Sequence, residues 1–100
     1  MSRYVISVLA SQDITEITEY FAEYNIEAGE RFLRAFDRKC KQLVTFPNSG
    51  KSYAEIRPGL RGLSLDGYVI FYRLLDNGIE ILRVVSGRRN FPSIFDEYDS

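Results

Sequence analysis

Residues 57–95 read RPGLRGLSLDGYVIFYRLLDNGIEILRVVSGRRNFPSIF, and they leave the chain few ways to fold. Three runs rich in Leu, Ile, Val, Phe and Tyr are separated by Asp66-Gly67 and by Asp76-Asn77-Gly78. Asp-Gly and Asn-Gly tolerate the positive φ angles of tight hairpin turns, so the strands they join run antiparallel. The spacing predicts a three-stranded meander, followed by Gly87-Arg88-Arg89 and a short aromatic tail. The preceding half of the chain then serves as packing for this sheet.

That half supplies one strand and two helices. Residues 3–9 (RYVISVL) are short, apolar and β-branched, which predicts a strand. Ser11 is placed to cap a helix in which Ile14, Ile17, Tyr20 or Phe21, and Tyr24 recur at helical spacing. Asn25 either ends that helix in a left-handed conformation or caps the next one. A second helix is expected over residues 27–46, with Ala28, Phe32, Ala35, Phe36, Cys40, Leu43 and Val44 as its apolar stripe. Arg31, Arg34, Arg38 and Lys41 lie largely off that stripe, and Pro47 stops the helix. The expected fold class is α+β over residues 1–100 as a single domain. Its order is an N-terminal strand, a helical hairpin, a three-stranded antiparallel meander packed on the helices, and a short C-terminal helical tail.

Composition narrows the chemistry. At 45% hydrophobic and 27% charged residues, the chain describes one soluble globular domain. No apolar run approaches the roughly 20 residues of a membrane helix, and the N-terminus lacks a signal-peptide layout. The single Cys40 fits a reducing compartment, so a cytoplasmic location away from membranes is expected. With no His, a zinc site or a Ser-His-Asp arrangement is excluded, and no metal or cofactor is expected. The polar loop over residues 48–58 carries Lys51 but lacks the glycine pattern of a phosphate cradle.

The net charge of -1 conceals an uneven distribution. From residue 51 to residue 95 the cations are Lys51, Arg57, Arg61, Arg73, Arg83, Arg88 and Arg89, against Glu55, Asp66, Asp76 and Glu80. Asp96, Glu97 and Asp99 then close the chain. A basic sheet with an acidic tail attracts an acidic partner, or lets the tail cover the basic surface.

Counting from two-residue turns at Asp66-Gly67 and Asn77-Gly78 places Arg61, Tyr72 and Arg83 in one row across three strands. Two guanidinium groups flanking a phenol would bind a carboxylate or phosphate, or would pair with acids of this chain. A three-residue second turn would instead put Leu82 opposite Tyr72 and break the row. Beyond the last strand, Arg88 and Arg89 project from a turn at Gly87. Phe91, Ile94 and Phe95 form an apolar patch that either packs on the sheet or presents a hook to another protein.

The order of elements resembles the RelE/ParE superfamily of bacterial toxins from type II toxin-antitoxin systems, over almost the whole chain. The resemblance rests on Ala28-Gly29-Glu30-Arg31-Phe32-Leu33, Phe46-Pro47-Asn48-Ser49-Gly50, Arg57-Pro58-Gly59-Leu60-Arg61, Tyr68-Val69-Ile70-Phe71-Tyr72-Arg73 and Glu80-Ile81-Leu82-Arg83-Val84-Val85. It is closest to the ParE branch. RelE-type members cleave messenger RNA on the ribosome, whereas ParE-type members inhibit DNA gyrase; in both, a cognate antitoxin wraps the toxin.

The residues favour the second branch. Ser64 stands where RelE-like cleavers commonly carry an Arg, and Phe95 stands where they often carry an aromatic acid-base group. Cleavage by 2′-hydroxyl attack needs a proton acceptor as well as cations. The resemblance therefore implies a gyrase inhibitor with no catalytic residues and no sequence-specific nucleic-acid binding of its own. On the family's pattern, Arg88, Arg89, Phe91, Ile94 and Phe95 are expected to contact the target. Arg61, Tyr72, Arg83 and Arg89 are expected to meet the antitoxin, or to form the cleavage site if the chain is an RNase.

Overall fold

A computed structural model describes residues 3–96; the acidic Glu97 and Asp99 lie outside the described residues. Strand β1 (Arg3–Ile6) leads into helices α1 (Val8–Ala22) and α2 (Ile26–Thr45). The meander follows as β3 (Arg61–Leu65), β4 (Tyr68–Leu75) and β5 (Gly78–Ser86), preceded by a two-residue strand β2 (Lys51–Ser52). Helix α3 (Phe91–Asp96) closes the described chain. The α+β order is as the sequence implies, and the meander is extended on both sides into a five-stranded sheet ordered β1-β5-β4-β3-β2. β1 pairs in parallel with β5, Tyr4 beside Ile79 and Ile6 beside Ile81.

Helix α1 begins four positions earlier than a Ser11 cap would allow. Ser7 is the cap: its Oγ accepts the Ala10 amide at 3.1 Å and donates to the Leu82 carbonyl at 3.0 Å. One hydroxyl thus starts the helix and satisfies a strand carbonyl beyond the end of β1. Val8 is 75% exposed, so the alternation that reads as strand through residue 9 is surface at a helix start. Of the two roles open to Asn25, the structure takes the cap, its side chain accepting the Ala28 amide at 2.7 Å.

The first hairpin turn has the expected register, Leu65 opposite Tyr68, with positive φ at Asp66 and Gly67. At the second turn Leu75 faces Gly78, so the two turn residues are Asp76 and Asn77. Gly78 has φ 154°, and a Cβ there would stand 1.8 Å from the Arg3 carbonyl oxygen. Only glycine lets β1 start against this position. Counting back from that turn puts Tyr72 opposite Ile81, and a register shift between Phe71 and Tyr72 then puts Phe71 opposite Arg83. The Arg61–Tyr72–Arg83 row does not form.

Each face of the sheet has its own core. On one, Ile17, Phe32, Phe36, Cys40 and Leu43 of the hairpin pack on Ile70, Tyr72, Ile79, Ile81 and Val84. On the other, Ile94 and Phe95 of α3 join Leu60, Val69, Phe71, Leu82 and Val85. Phe71 is the hub there, with the rings of Tyr53, Phe91 and Phe95 at 5.1, 5.0 and 5.1 Å. Among the described residues, no helix is long and apolar enough to cross a membrane.

Candidate functional site

Helix α2 is wider in its apolar stripe than the sheet can cover, and the excess forms a groove. Ala28, Phe32 and Ala35 follow at helical spacing and face Phe21 of α1 on one side and Leu65 of the first hairpin on the other. The groove encloses about 1050 Å³, the largest such hollow among those described. Its sides carry Arg31, Arg34, Arg38 and Lys39, with Asp66 as the one acid. Tyr20 and Tyr24 stand at the end formed by the helical hairpin, their hydroxyls 3.2 Å apart. That hydrogen bond raises the Tyr24 phenol above its ordinary value.

The cations are available for exchange. Arg31 and Arg34 sit 3.9 and 4.0 Å from Glu27 and Glu30, in pairs more than half exposed, and such pairs contribute little. Arg38 and Lys39 make no ion pair among the described residues. An apolar floor between cationic walls suits an amphipathic segment with acidic flanks.

The residues singled out from the sequence lie elsewhere. Tyr72 is fully buried and ties the loop after α2 to the sheet. Its hydroxyl donates to the Pro47 carbonyl at 2.6 Å and accepts the Gly50 amide at 3.1 Å. Arg61 is brought to the same loop, donating from Nη2 to the carbonyls of Asn48 and Gly50 at 3.0 and 2.8 Å. Arg83 grips Asp13 of α1 with two hydrogen bonds of 2.8 and 3.0 Å. Arg88 and Arg89 are exposed on the turn after β5, whose Gly87 amide donates to the Gly67 carbonyl at 2.8 Å. Arg61, Tyr72, Arg83 and Arg89 therefore do not converge on one ligand. Of the apolar tail, Phe91 is half-buried, while Ile94 and Phe95 are 4% and 1% exposed beneath the sheet's second face.

The groove residues were visible in the sequence only as a stripe with cations beside it. Arg31, Arg34 and Arg38 recur every three or four residues, which puts them along one flank of α2. Which flank stays uncovered depends on where α1 and the hairpin pack, and that is set by tertiary structure.

The described residues form a small α+β fold with an open groove walled by cations. Residues 4–91 match the family described as ParE toxin of type II toxin-antitoxin system, parDE. Toxin ParE1 of Mycobacterium tuberculosis is 32% identical over 89 residues, covering 87% of this chain and 91% of that protein. Toxin ParE3 of Caulobacter vibrioides is 29% identical over 94 residues, covering 93% and 94%. A solved chain of the chromosomal ParDE TA system from P. aeruginosa shares the fold at a TM-score of 0.72. It covers 86% of this chain and 96% of its own length, at 21% identity. The chain belongs to the ParE toxin family of type II toxin-antitoxin systems.

Proposed function

We propose that the chain poisons DNA gyrase and is neutralised by an antitoxin whose acidic, amphipathic segment lies along the α2 groove. The observation that carries the neutralisation half is the groove itself: Phe21, Phe32 and Leu65 beneath Arg31, Arg34, Arg38 and Lys39. Membership of the ParE family supports the toxin role and the existence of an antitoxin. The gyrase half rests on the family resemblance and on the commitment of Arg61, Tyr72 and Arg83 to contacts within the chain. Target contact falls to the exposed Arg88–Arg89 turn and the adjoining edge of Phe91, with Ile94 and Phe95 holding α3 in position.

Two experiments test the halves separately. Purified chain added to gyrase should block supercoiling of relaxed plasmid, and induction in bacteria should raise a DNA-damage reporter while translation continues. Codon-level cuts in messenger RNA, lost in Tyr72→Phe, would replace this reading with ribosome-dependent cleavage. For the antitoxin, Arg38→Glu with Lys39→Glu should leave the toxin active but unprotected, with affinity down by at least about tenfold, or 1.4 kcal/mol. Full protection of that variant would place the antitoxin elsewhere.

A further inference from the structure

The second hairpin turn carries a reactive pair that the fold itself requires. Asn77 is exposed at the turn, and Gly78 follows it. Glycine is imposed at 78, since a Cβ there would stand 1.8 Å from the Arg3 carbonyl oxygen and 2.9 Å from the Arg3 nitrogen. With no side chain on Gly78, its nitrogen is unshielded towards the side-chain amide of Asn77.

The other three asparagines are placed differently. Asn25 and Asn90 precede Ile26 and Phe91, and their side-chain oxygens are held by the Ala28 and Ser93 amides at 2.7 and 3.4 Å. Asn48 is exposed, but Ser49 follows it, and its carbonyl oxygen accepts Arg61 Nη2 at 3.0 Å. Asn77 alone of the four combines exposure with a following glycine. It also sits where a change is felt. Its carbonyl oxygen accepts the Arg3 amide at 3.1 Å, and Gly78 lies opposite both Arg3 of β1 and Leu75 of β4. β1 in turn carries the Tyr4 hydroxyl bonded to Asp37 of α2 and leads into the Ser7 cap of α1.

We propose that Asn77 is a site of self-modification, deamidating to isoaspartate and so releasing the start of β1 from β5. The Gly78 nitrogen, losing its proton to solvent base, bonds to the side-chain carbonyl carbon of Asn77. The side-chain nitrogen takes a proton from solvent and leaves as ammonia, closing a succinimide ring. Water then adds hydroxyl to one ring carbonyl and a proton to the ring nitrogen. Opening at the former side-chain carbonyl restores the main chain with aspartate. Opening at the main-chain carbonyl routes the chain through the former side chain, as isoaspartate. That main chain is longer by a methylene, and the carbonyl that accepted the Arg3 amide becomes a free carboxylate. An insertion at a paired position disturbs the register of the strands it joins. The reaction needs no partner and is independent of what the α2 groove or the Arg88–Arg89 turn binds.

Full-length protein aged in mildly alkaline buffer provides the test, with peptides mapped by mass spectrometry and isoaspartate counted by enzymatic carboxyl methylation. Asn77 should lose its amide several-fold faster than Asn48, give isoaspartate among its products, and react faster as pH rises. Asn77→Asp carries the same charge on an unaltered main chain and is the stability reference. The isoaspartate fraction should unfold at lower urea than Asn77→Asp. Ageing no faster at Asn77 than at Asn48, or seen only in urea-unfolded protein, would overturn the site. Equal urea midpoints for the isoaspartate fraction and Asn77→Asp would overturn the release of β1.

Discussion

Asp13 of α1 and Arg83 of β5, 70 residues apart, form a two-pronged ion pair with N–O distances of 2.8 and 3.0 Å. The Val84 amide adds a third hydrogen bond to the same carboxylate at 2.9 Å. β1 stops at Ile6 opposite Ile81, and beyond that point β5 has no neighbouring strand on this side. Ser7 and Asp13 take over there, the first satisfying the Leu82 carbonyl and the second the Val84 amide. A helix thus finishes the edge that a four-residue strand leaves open.

Removing either residue breaks a two-pronged pair that is largely buried. The two side chains are 15% and 12% exposed, and breaking so buried a pair from one side costs about 3–5 kcal/mol. Asp13→Ala should lower urea stability by that amount. Adding Arg83→Ala should cost less than it does alone, because the pair is already broken. Additive losses would mean the two residues act independently.

Tyr72 is expected to matter for stability rather than for partner contact. Tyr72→Phe leaves the Pro47 carbonyl and the Gly50 amide without their partner, a loss of about 1–3 kcal/mol. For a domain of this size each kcal/mol shifts the melting temperature by roughly 4–8 °C. Gly50→Ala attacks the same contact from the other side, since its Cβ would stand 2.6 Å from the Tyr72 hydroxyl. Both variants should melt earlier yet, below their midpoints, bind antitoxin with unchanged affinity. Weaker binding by a fully folded Tyr72→Phe would return this residue to the interface.

The meander was legible because its punctuation is local: Asp66-Gly67 fixes a turn whatever surrounds it. The second turn was misplaced because Asp76-Asn77-Gly78 offers two overlapping turn pairs. The choice between them comes from the close approach of Gly78 to Arg3, a contact across the whole chain. That turn choice alone puts Tyr72 opposite Ile81 and displaced the row of three side chains; the irregularity at Phe71/Tyr72 lies beyond Tyr72 and does not restore it. The parallel pairing of β1 had no local signal, and neither did the early start of α1, whose cap is chosen by the Leu82 carbonyl. Arg61, Tyr72 and Arg83 were conspicuous by residue type, yet each is spent on holding loop or helix to sheet.

Cys40 gives the protein an alkaline limit. The thiol has no exposed surface, and burial, aided by the charge of Asp37, pushes it up from 9.0 to about 12. A raised folded pKa means the protonated thiol favours folding, fully so below pH 9 and progressively less as pH rises towards 12. Tyr4 is raised too, first by burial and then by its hydrogen bond to Asp37, and acts in the same direction. Urea midpoints should therefore fall with rising pH, and Cys40→Ala should flatten the part of that fall beginning near pH 9. Tyr4 is common to both proteins, so the difference in slope isolates the thiol. Parallel pH curves would show that the thiol does not couple to folding.

Deleting α3 would confound any test of its role in toxicity. Ile94 and Phe95 are buried, and Phe71 meets both Phe91 and Phe95 edge to face, so truncation before Phe91 bares the second core. Phe95→Ala alone should cost about 3–5 kcal/mol, the range for emptying a buried aromatic site. Arg88 and Arg89 are exposed, and their alanine variants should stay within about 0.5 kcal/mol of the parent in urea. Colony counts after induction, read beside those stabilities, separate folding from contact. If Arg88→Ala with Arg89→Ala restores growth at unchanged stability, the turn touches the target. If growth returns only in variants that unfold, the C-terminal segment is scaffold, and the target-binding surface lies elsewhere on the domain.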